Sequence, residues 1–453
     1  MTTHARRLDV RIDDTTVGSL VEEGVVWRFD YDPAWQTRRD GFDLAPNLPR
    51  AVPHHVDGAS VRPVQAYFDN LLPEELLRQT IAKEAGVRGD DAFALLEYLG
   101  AESAGSLTLV PPGAAPMTAG RMQALPAAVL SQRIRALPQS TLGAQSPKRM
   151  SLAGAQHKLV VIAREPGRRG RNAVGLELFE PVGAQASTHI LKPDHPDTDS
   201  WPASVACEYL TMRLARAVGL HVPKVWRLDV PQPVYVAERF DRVVTWNGRA
   251  TSPDDAPAVS RRHVIDACQM LGIARQFKHS GASVETLARL VALCTNKAAA
   301  RQRIFAWLAF NTLVANDDCH LKNLSFLIGP DGVAVAPHYD LLATGAYATR
   351  AFAHERARWP DLPLGIALPG AATFAELTRL ALLAAADELG LPSAPATRML
   401  DTMGRKLEQA LAVERAHLDV RRRTAGPLKA ALETRMLDVI DRIVVREMLA
   451  RTR

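Results

Sequence analysis

An α+β chain, sheet-rich in its first half and helical in its second, is what the sequence predicts. Three observations lead there. Apolar residues alternate between 8 and 31, and short apolar runs bounded by Gly and Pro return between 159 and 237, which is the pattern of strands. Beyond Phe240 the apolar spacing becomes almost wholly helical. Within that helical half one polar stretch, Asn316 to Asn323, stands between a strongly apolar helix and an apolar hairpin.

Taken in order, Leu8 to Ile12, Val17 to Leu20 and Val25 to Tyr31 form a small antiparallel sheet around an Asp13-Asp14 turn. Residues 36 to 62, rich in Pro, Asp, His and Arg, read as irregular. A helix is expected from Pro73 to Ala85, with Pro at its start and Gly86 at its end. Asp90 or Asp91 caps a second helix that closes at Gly100. Residues 111 to 148 read as a connection holding one short helix, Pro126 to Leu137. Leu159 to Ala163, Val174 to Phe179, Thr188 to Lys192, Val222 to Leu228 and Val234 to Ala237 make a sheet of about five strands, with a helix from Trp201 to Val218 that stops at Gly219. Further on, Ser260 caps a helix to Leu271, Ser283 caps one to Leu293, and a long helix runs from about Ala298 to Val314. From Phe374 helices continue, broken at Gly390-Leu391-Pro392, Gly404 and Gly426-Pro427. The expected division is an N-terminal subdomain and linker over 1–145, a β-rich lobe over 146–240 and a helical lobe over 241–453.

The chain has 453 residues, 47% of them hydrophobic and 23% charged, the composition of an ordinary globular protein. No run reaches the apolar length of a membrane span, and the N-terminus lacks the apolar core of a secretory leader, so the expected compartment is the cytoplasm with no membrane partner. The four cysteines (Cys207, Cys268, Cys294, Cys319) have no metal-ligand or redox spacing and read as reduced, packed thiols. A net charge of +6 permits a nucleic-acid partner or an acidic substrate without requiring either. Basic clusters at Arg164 to Arg171 and Arg421 to Arg423 read as solvated surface.

The polar stretch carries the chemistry. Asp318 and Asn323 stand five residues apart, followed by an apolar run from Leu324 to Ile328, the turn Gly329-Pro330-Asp331-Gly332, a second run from Val333 to Ala336, and His338-Tyr339-Asp340. Pro and Gly around an Asp mark a hairpin, and a hairpin returns the chain to its starting level. Asn323 and Asp340 are therefore expected side by side with Asp318 one loop-width away. An Asp able to orient a hydroxyl, and an Asn plus a second Asp able to share Mg²⁺, are what phosphoryl transfer in a protein-kinase-like bilobal fold requires. The competing reading is a polar loop that merely caps a hairpin, since Asp and Asn are common in turns.

Other parts of a phosphotransferase have candidates. Ser151 to Lys158 precedes a strand, and Gly154 and Ala155 let backbone N–H groups approach phosphate oxygens. Lys192 closes a strand and is placed to reach ATP phosphates; a surface lysine is the plainer alternative. Glu208, on the next helix, is a candidate partner for it. Glu238 to Arg242 follows the last strand, where exposed backbone groups of Glu238 and Phe240 suit an adenine edge. His320 and Lys322 flank the centre, one to position the loop and the other to neutralise phosphoryl charge. A structural role for His320 is the competing view.

These motifs resemble, in order, those of HipA-type toxin kinases: Ser151 to Lys158 as SLAGAQHK, Ile190-Leu191-Lys192, Val236 to Arg242, Asp318 to Asn323 and Tyr339 to Leu342, with Phe68 to Glu74 resembling the signature of the family's N-terminal subdomain. The resemblance spans nearly the whole chain. It implies an ATP- and Mg²⁺-dependent serine/threonine protein kinase, the toxin of a toxin–antitoxin pair, with Asp318 as catalytic base and Asn323 and Asp340 holding Mg²⁺. It implies autophosphorylation at Ser151 as an off-switch and an aminoacyl-tRNA synthetase as protein substrate. It also implies a helix-turn-helix, HipB-like antitoxin partner that carries the complex onto operator DNA. His157 stands where several relatives carry an acidic residue, and the basic turn is longer than in the founding member. Two other classes remain in view: a nucleotide-binding co-repressor that mainly grips an antitoxin, and a small-molecule phosphotransferase with similar Asp-to-Asn spacing.

Overall fold

Leu8 and Val10, alternate residues of the first strand, are fully buried, because successive side chains leave a strand on opposite faces. The structure, a computed structural model, describes residues 5–114, 118–148, 150, 153–165, 175–246, 255–425 and 427–453. The chain falls into two compact units, one of residues 1–193, 227–275 and 326–332 and one of residues 194–226, 276–325 and 333–453.

In the first unit β1 (Arg6–Ile12), β2 (Thr15–Glu23), β3 (Val26–Tyr31), β4 (His54–Val56) and β5 (Leu107–Val110) form a sheet in the order β4-β3-β2-β1-β5. Phe29 of β3 packs between Tyr31 and Phe68 of the helix Pro63–Asp69, with ring centroids 4.8 and 5.7 Å away. The helix Glu75–Ala85 ends at Gly86 (φ 70), and the helix Ala92–Leu99 is capped by Asp91, which accepts from the Ala94 N–H at 3.0 Å. The first of these starts two residues later than the sequence suggests, because Pro73 is held in a parallel bridge with Gly154.

A second sheet holds β6 (Arg121–Ala124), β7 (Leu159–Arg164), β8 (Glu177–Val182), β9 (His189–Pro193), β10 (Val225–Asp229) and β11 (Pro233–Glu238), in the order β10-β11-β9-β7-β8-β6. It has six strands rather than about five. The extra one, β6, comes from the stretch read as a connection. Only Met122 of its four residues is buried, so its sequence carries little strand periodicity.

Beyond Phe240 the chain is less helical than expected. Strands Arg242–Thr245 and Ala258–Arg261 pair antiparallel, and His263–Asp266 is a third. Ser260 lies in one of these strands and caps nothing. The helix Ala267–Leu271 is capped by Asp266, whose carboxylate accepts from the Gln269 N–H at 2.8 Å while the Gln269 amide oxygen accepts from the Asp266 N–H at 3.0 Å.

A buried ion network ties remote segments of this unit together. Glu102 meets Lys148 at 3.1 Å, Arg239 at 3.2 Å and Arg242 at 3.3 Å, and accepts from the Ser187 hydroxyl at 2.6 Å. Asp241 bridges the same two arginines at 2.5 and 2.8 Å and accepts from the Gly105 N–H at 2.8 Å. The cations hold the Glu102 carboxyl far below the carboxylate range and that of Asp241 at about 2, against the opposing effect of burial.

The second unit is mainly helical, with Trp307, Phe305 and Phe310 of the helix Lys297–Leu313 fully buried. Ser283 caps the helix Val284–Leu293, as its sequence implies, accepting from the Thr286 N–H at 3.0 Å. The helix Arg379–Glu388 ends before Gly390, but Gly404 interrupts nothing: it lies inside the helix Ser393–Ala425. A Cβ there would come within 3.3 Å of Leu449 Cδ2, so the small residue serves a close approach between helices. Among the described residues no helix is long and apolar enough to cross a membrane.

Candidate active site

The helix Lys297–Leu313 delivers the polar stretch and then stops sharply. Ala315 turns into the left-handed region (φ 54), and the Asn316 N–H returns to the Asn311 carbonyl at 2.8 Å. The Asn316 side-chain amide donates to Asn311 Oδ1 at 2.8 Å, and the Thr344 hydroxyl donates to Asn316 Oδ1 at 3.2 Å. Thr344 also accepts from the Asp317 N–H at 2.9 Å, and the Gly345 N–H donates to the Ala315 carbonyl at 2.7 Å. Two glycines press against this loop. A Cβ on Gly365 would lie 2.8 Å from the Cys319 carbonyl and 2.9 Å from that of Asp317, and one on Gly345 would lie 2.8 Å from Ala315 Cβ.

On this rigid base Asp318 is thrust outward, its side chain 60% exposed, while Cys319, His320, Lys322 and Asn323 are buried. The Asn323 side-chain nitrogen donates to the Asp318 carbonyl at 3.1 Å. With that nitrogen engaged, its amide oxygen is the atom on offer to a cation. Cys319 is a packed thiol, pushed well above its ordinary pKa by burial, and is no nucleophile.

Strands Ser325–Gly329 and Gly332–Val335 form the expected hairpin. Its base closes where the Ala336 N–H donates to the Ser325 carbonyl at 2.8 Å. The Tyr339 hydroxyl donates to the Lys322 carbonyl at 2.7 Å and lies 2.7 Å from Ser325 Oγ. Tyr339 precedes Asp340 and Lys322 precedes Asn323, so the two proposed cation ligands follow residues that are hydrogen-bonded to each other. Asp340 is half-buried with φ 56, in the left-handed region that Asp tolerates better than most residues with a Cβ. Next to it His338 is buried, stacked on Trp307 with centroids 6.4 Å apart, and burial pushes its imidazole down to about 3.

A second histidine, His279, joins the loop. Its Nε2 lies 3.9 Å from Asp318 Oδ1, and His320 Nε2 lies 4.0 Å from the same oxygen. The two imidazoles meet edge to face with centroids 4.7 Å apart, and the Leu321 N–H donates to the Lys278 carbonyl at 3.2 Å. Sequence reasoning named Tyr339 without giving it a role and passed over His279, Thr344, Gly345 and Gly365. Only Tyr339, within the motif, carried a local signal; the others act across tens of residues.

The remaining candidates lie in the first unit. Gly154 has φ +102, a conformation that favours glycine, and its carbonyl accepts from the Glu74 N–H at 3.2 Å. The N-terminal Phe68 to Glu74 segment thereby braces the loop that holds Gly154 and Ala155. Ser151 and Leu152, and residues 166–171 of the basic turn, lie outside the described residues. The loop feeds β7, where Leu159 pairs with Leu191 of β9, so it enters the sheet beside Lys192. Lys192 is buried and pairs with Tyr235 of β11, its Nζ 5.8 Å from that ring's centroid. Glu238 closes β11 opposite His189, and the intervening Arg239 N–H donates to the Thr188 carbonyl at 2.9 Å. The side chains of Arg239, Asp241 and Arg242 are committed to the ion network. Only the flanking Glu238 and Phe240 remain half-exposed.

Comparison with known proteins accounts for this combination. The model of the HipA N-terminal domain matches residues 8–110, and that of the HipA-like C-terminal domain matches residues 150–411. Y4mE of Sinorhizobium fredii, which carries the name of a kinase, is 34% identical over 76% of this chain and 78% of its own length. The serine/threonine-protein kinase toxin HipA of Shewanella oneidensis is 28% identical over 89% of this chain and 88% of its own. The solved complex of Shewanella oneidensis HipA, HipB and operator DNA superposes with a TM-score of 0.72, covering 98% of this chain and 99% of that one at 28% identity. With the HipA-like C-terminal model covering more than half its length, the chain belongs to the HipA family of serine/threonine-protein kinase toxins.

Proposed function

We propose that the protein transfers the γ-phosphate of ATP to a serine or threonine hydroxyl of a protein through Asp318. The observation that carries this reading is the contrast in one loop: Asp318 is outward-facing while Asn323 is buried behind it and donates to its carbonyl. Asp318 orients the incoming hydroxyl and accepts its proton. Asn323 and Asp340 offer an amide oxygen and a carboxylate, hard donors suited to Mg²⁺, which would neutralise phosphate charge when bound. Lys322 and Lys192 add positive charge, the loop at Gly154 and Ala155 offers backbone N–H groups, and Glu238 and Phe240 offer backbone groups to adenine. His320 helps to position the loop.

The likeness to the HipA–HipB–DNA complex, over nearly the full chain, supports a helix-turn-helix antitoxin partner and, through it, operator DNA. Phosphorylation at Ser151 as an off-switch and an aminoacyl-tRNA synthetase as target complete the proposal. In domain terms, 1–145 is the N-terminal subdomain and linker, 146–240 the nucleotide lobe and 241–453 the catalytic lobe. Purified protein given γ-labelled ATP and Mg²⁺ is expected to label itself, with Ser151→Ala removing most of the label. Wild-type labelling no greater than that of Asp318→Asn would reject the kinase assignment for these residues.

A further inference from the structure

We infer that His279, Asp318 and His320 form an inhibitory binding site for a borderline-soft divalent cation such as Zn²⁺, separate from the Asn323 and Asp340 pair. Their donor atoms, two imidazole nitrogens and one carboxylate oxygen, all lie within 4.8 Å of one another. Binding draws the three ligands together by roughly 0.5 to 1.5 Å. Zinc binds such ligands at about 2.0 to 2.1 Å, which puts tetrahedral neighbours roughly 3.3 Å apart. The pairs centred on Asp318 Oδ1 stand at 3.9 and 4.0 Å, so a shift of roughly half an ångström closes them.

The supporting frame suits such a shift. His320 is buried, and the hydrogen bond from the Leu321 N–H to the Lys278 carbonyl fixes the two histidine-bearing segments against each other. His279 and Asp318 are both exposed, so both can adjust and water can take the fourth position. Two imidazoles and a carboxylate select Zn²⁺ and its neighbours, whereas Mg²⁺ prefers near-octahedral oxygen ligands and keeps several waters. The two cations therefore use different donors.

The consequence is regulatory and rests on the reading of Asp318 as the base. A carboxylate that binds Zn²⁺ through Oδ1 shares its charge with the ion, which lowers the basicity of both oxygens and sets the ion where the substrate hydroxyl must approach, so zinc stops transfer with Mg²⁺ and ATP still present. The inhibition needs His279, which the proposed transfer step does not use.

Two readouts on the full chain test this. Isothermal titration with Zn²⁺, alongside the visible absorption of tetrahedral Co²⁺, reads the site whether or not the protein is active. Wild type is expected to take up one ion per chain at this site, and His279→Ala to weaken that event at least tenfold with an unchanged circular dichroism spectrum. Kinase assays in MgATP are expected to show zinc inhibition that a zinc-selective chelator reverses, and that shifts at least tenfold in His279→Ala while uninhibited activity stays within twofold. Identical metal titrations for wild type and His279→Ala would overturn the site. Lost binding with unshifted inhibition would overturn its regulatory role, and an inactive protein that still binds through His279 would instead count against Asp318 as the base.

Discussion

The Asn323 side chain donates to the backbone carbonyl of Asp318 at 3.1 Å, so the outward-facing carboxylate and the buried amide are held as one unit. Substitution at either should therefore affect catalysis in different ways. Asp318→Asn keeps the loop but removes the proposed proton acceptor, and kcat is expected to fall on the order of 10²- to 10⁴-fold with nucleotide affinity retained. Single-turnover transfer and a nucleotide-binding titration check this. Unchanged kcat would remove Asp318 from the base role.

Tyr339 sets the level of Asp340 through its hydroxyl contacts to Lys322 and Ser325. Tyr339→Phe is expected to cost about 1 kcal/mol of stability from the lost hydrogen bonding. Its larger effect should be a raised Mg²⁺ requirement, read from activity against Mg²⁺ concentration. A Mg²⁺ curve that does not move would mean the hairpin holds Asp340 without this hydroxyl.

Gly365 lies against the loop rather than in it. Gly365→Ala puts a Cβ into the Cys319 and Asp317 carbonyls, and overpacking of this kind costs roughly 1 to 3 kcal/mol. Because the displaced backbone carries Asp318, kcat should drop more than KM rises. Parallel thermal melts separate the two effects, and an active, equally stable Gly365→Ala protein would show that the contact yields elsewhere.

Glu102 is buried among Lys148, Arg239 and Arg242. Glu102→Ala leaves those cations without their shared carboxylate, and removal of one partner from a buried pair costs about 3 to 5 kcal/mol. Denaturant unfolding should show the loss, most of it in the first unit. A cost under 1 kcal/mol would mean water reaches the network.

His263 is buried, with Ser106 Oγ 2.9 Å from Nδ1 and the Leu44 carbonyl 2.9 Å from Nε2, and burial lowers its pKa from 6.5 to about 4. As pH falls, the unfolded chain takes the proton first. The stability this group contributes is therefore complete above pH 6.5 and is lost between 6.5 and 4, by about 3 kcal/mol. His263→Gln should begin less stable at pH 7.5 yet lose less on acidification to pH 4.5, judged by urea midpoints. An equal loss in both proteins would contradict the assignment.

Local chemistry alone determined a good part of this molecule. The spacing of Asp318 and Asn323, the turn at Pro330-Asp331 and the alternation in β1 to β3 are short-range signals, and each reappears as loop, hairpin and sheet. Residues whose role depends on distant neighbours were not legible. Ser260 and Asp266 are both competent helix caps, and strand pairing of Ala258–Arg261 decided between them. Gly404 looked like a break because a lone glycine weakens a helix, but packing against Leu449 outweighs that local cost. The segment Glu238 to Arg242 was read for its backbone groups alone, and only the fold shows that the Arg239 and Arg242 side chains are buried against Glu102 and Asp241. His279 acquires its place beside Asp318 only when two segments about forty residues apart are tied through Lys278 and Leu321. Sequence specifies what each segment can do within a few residues; burial and long-range closure decide which charges, glycines and imidazoles are put to use.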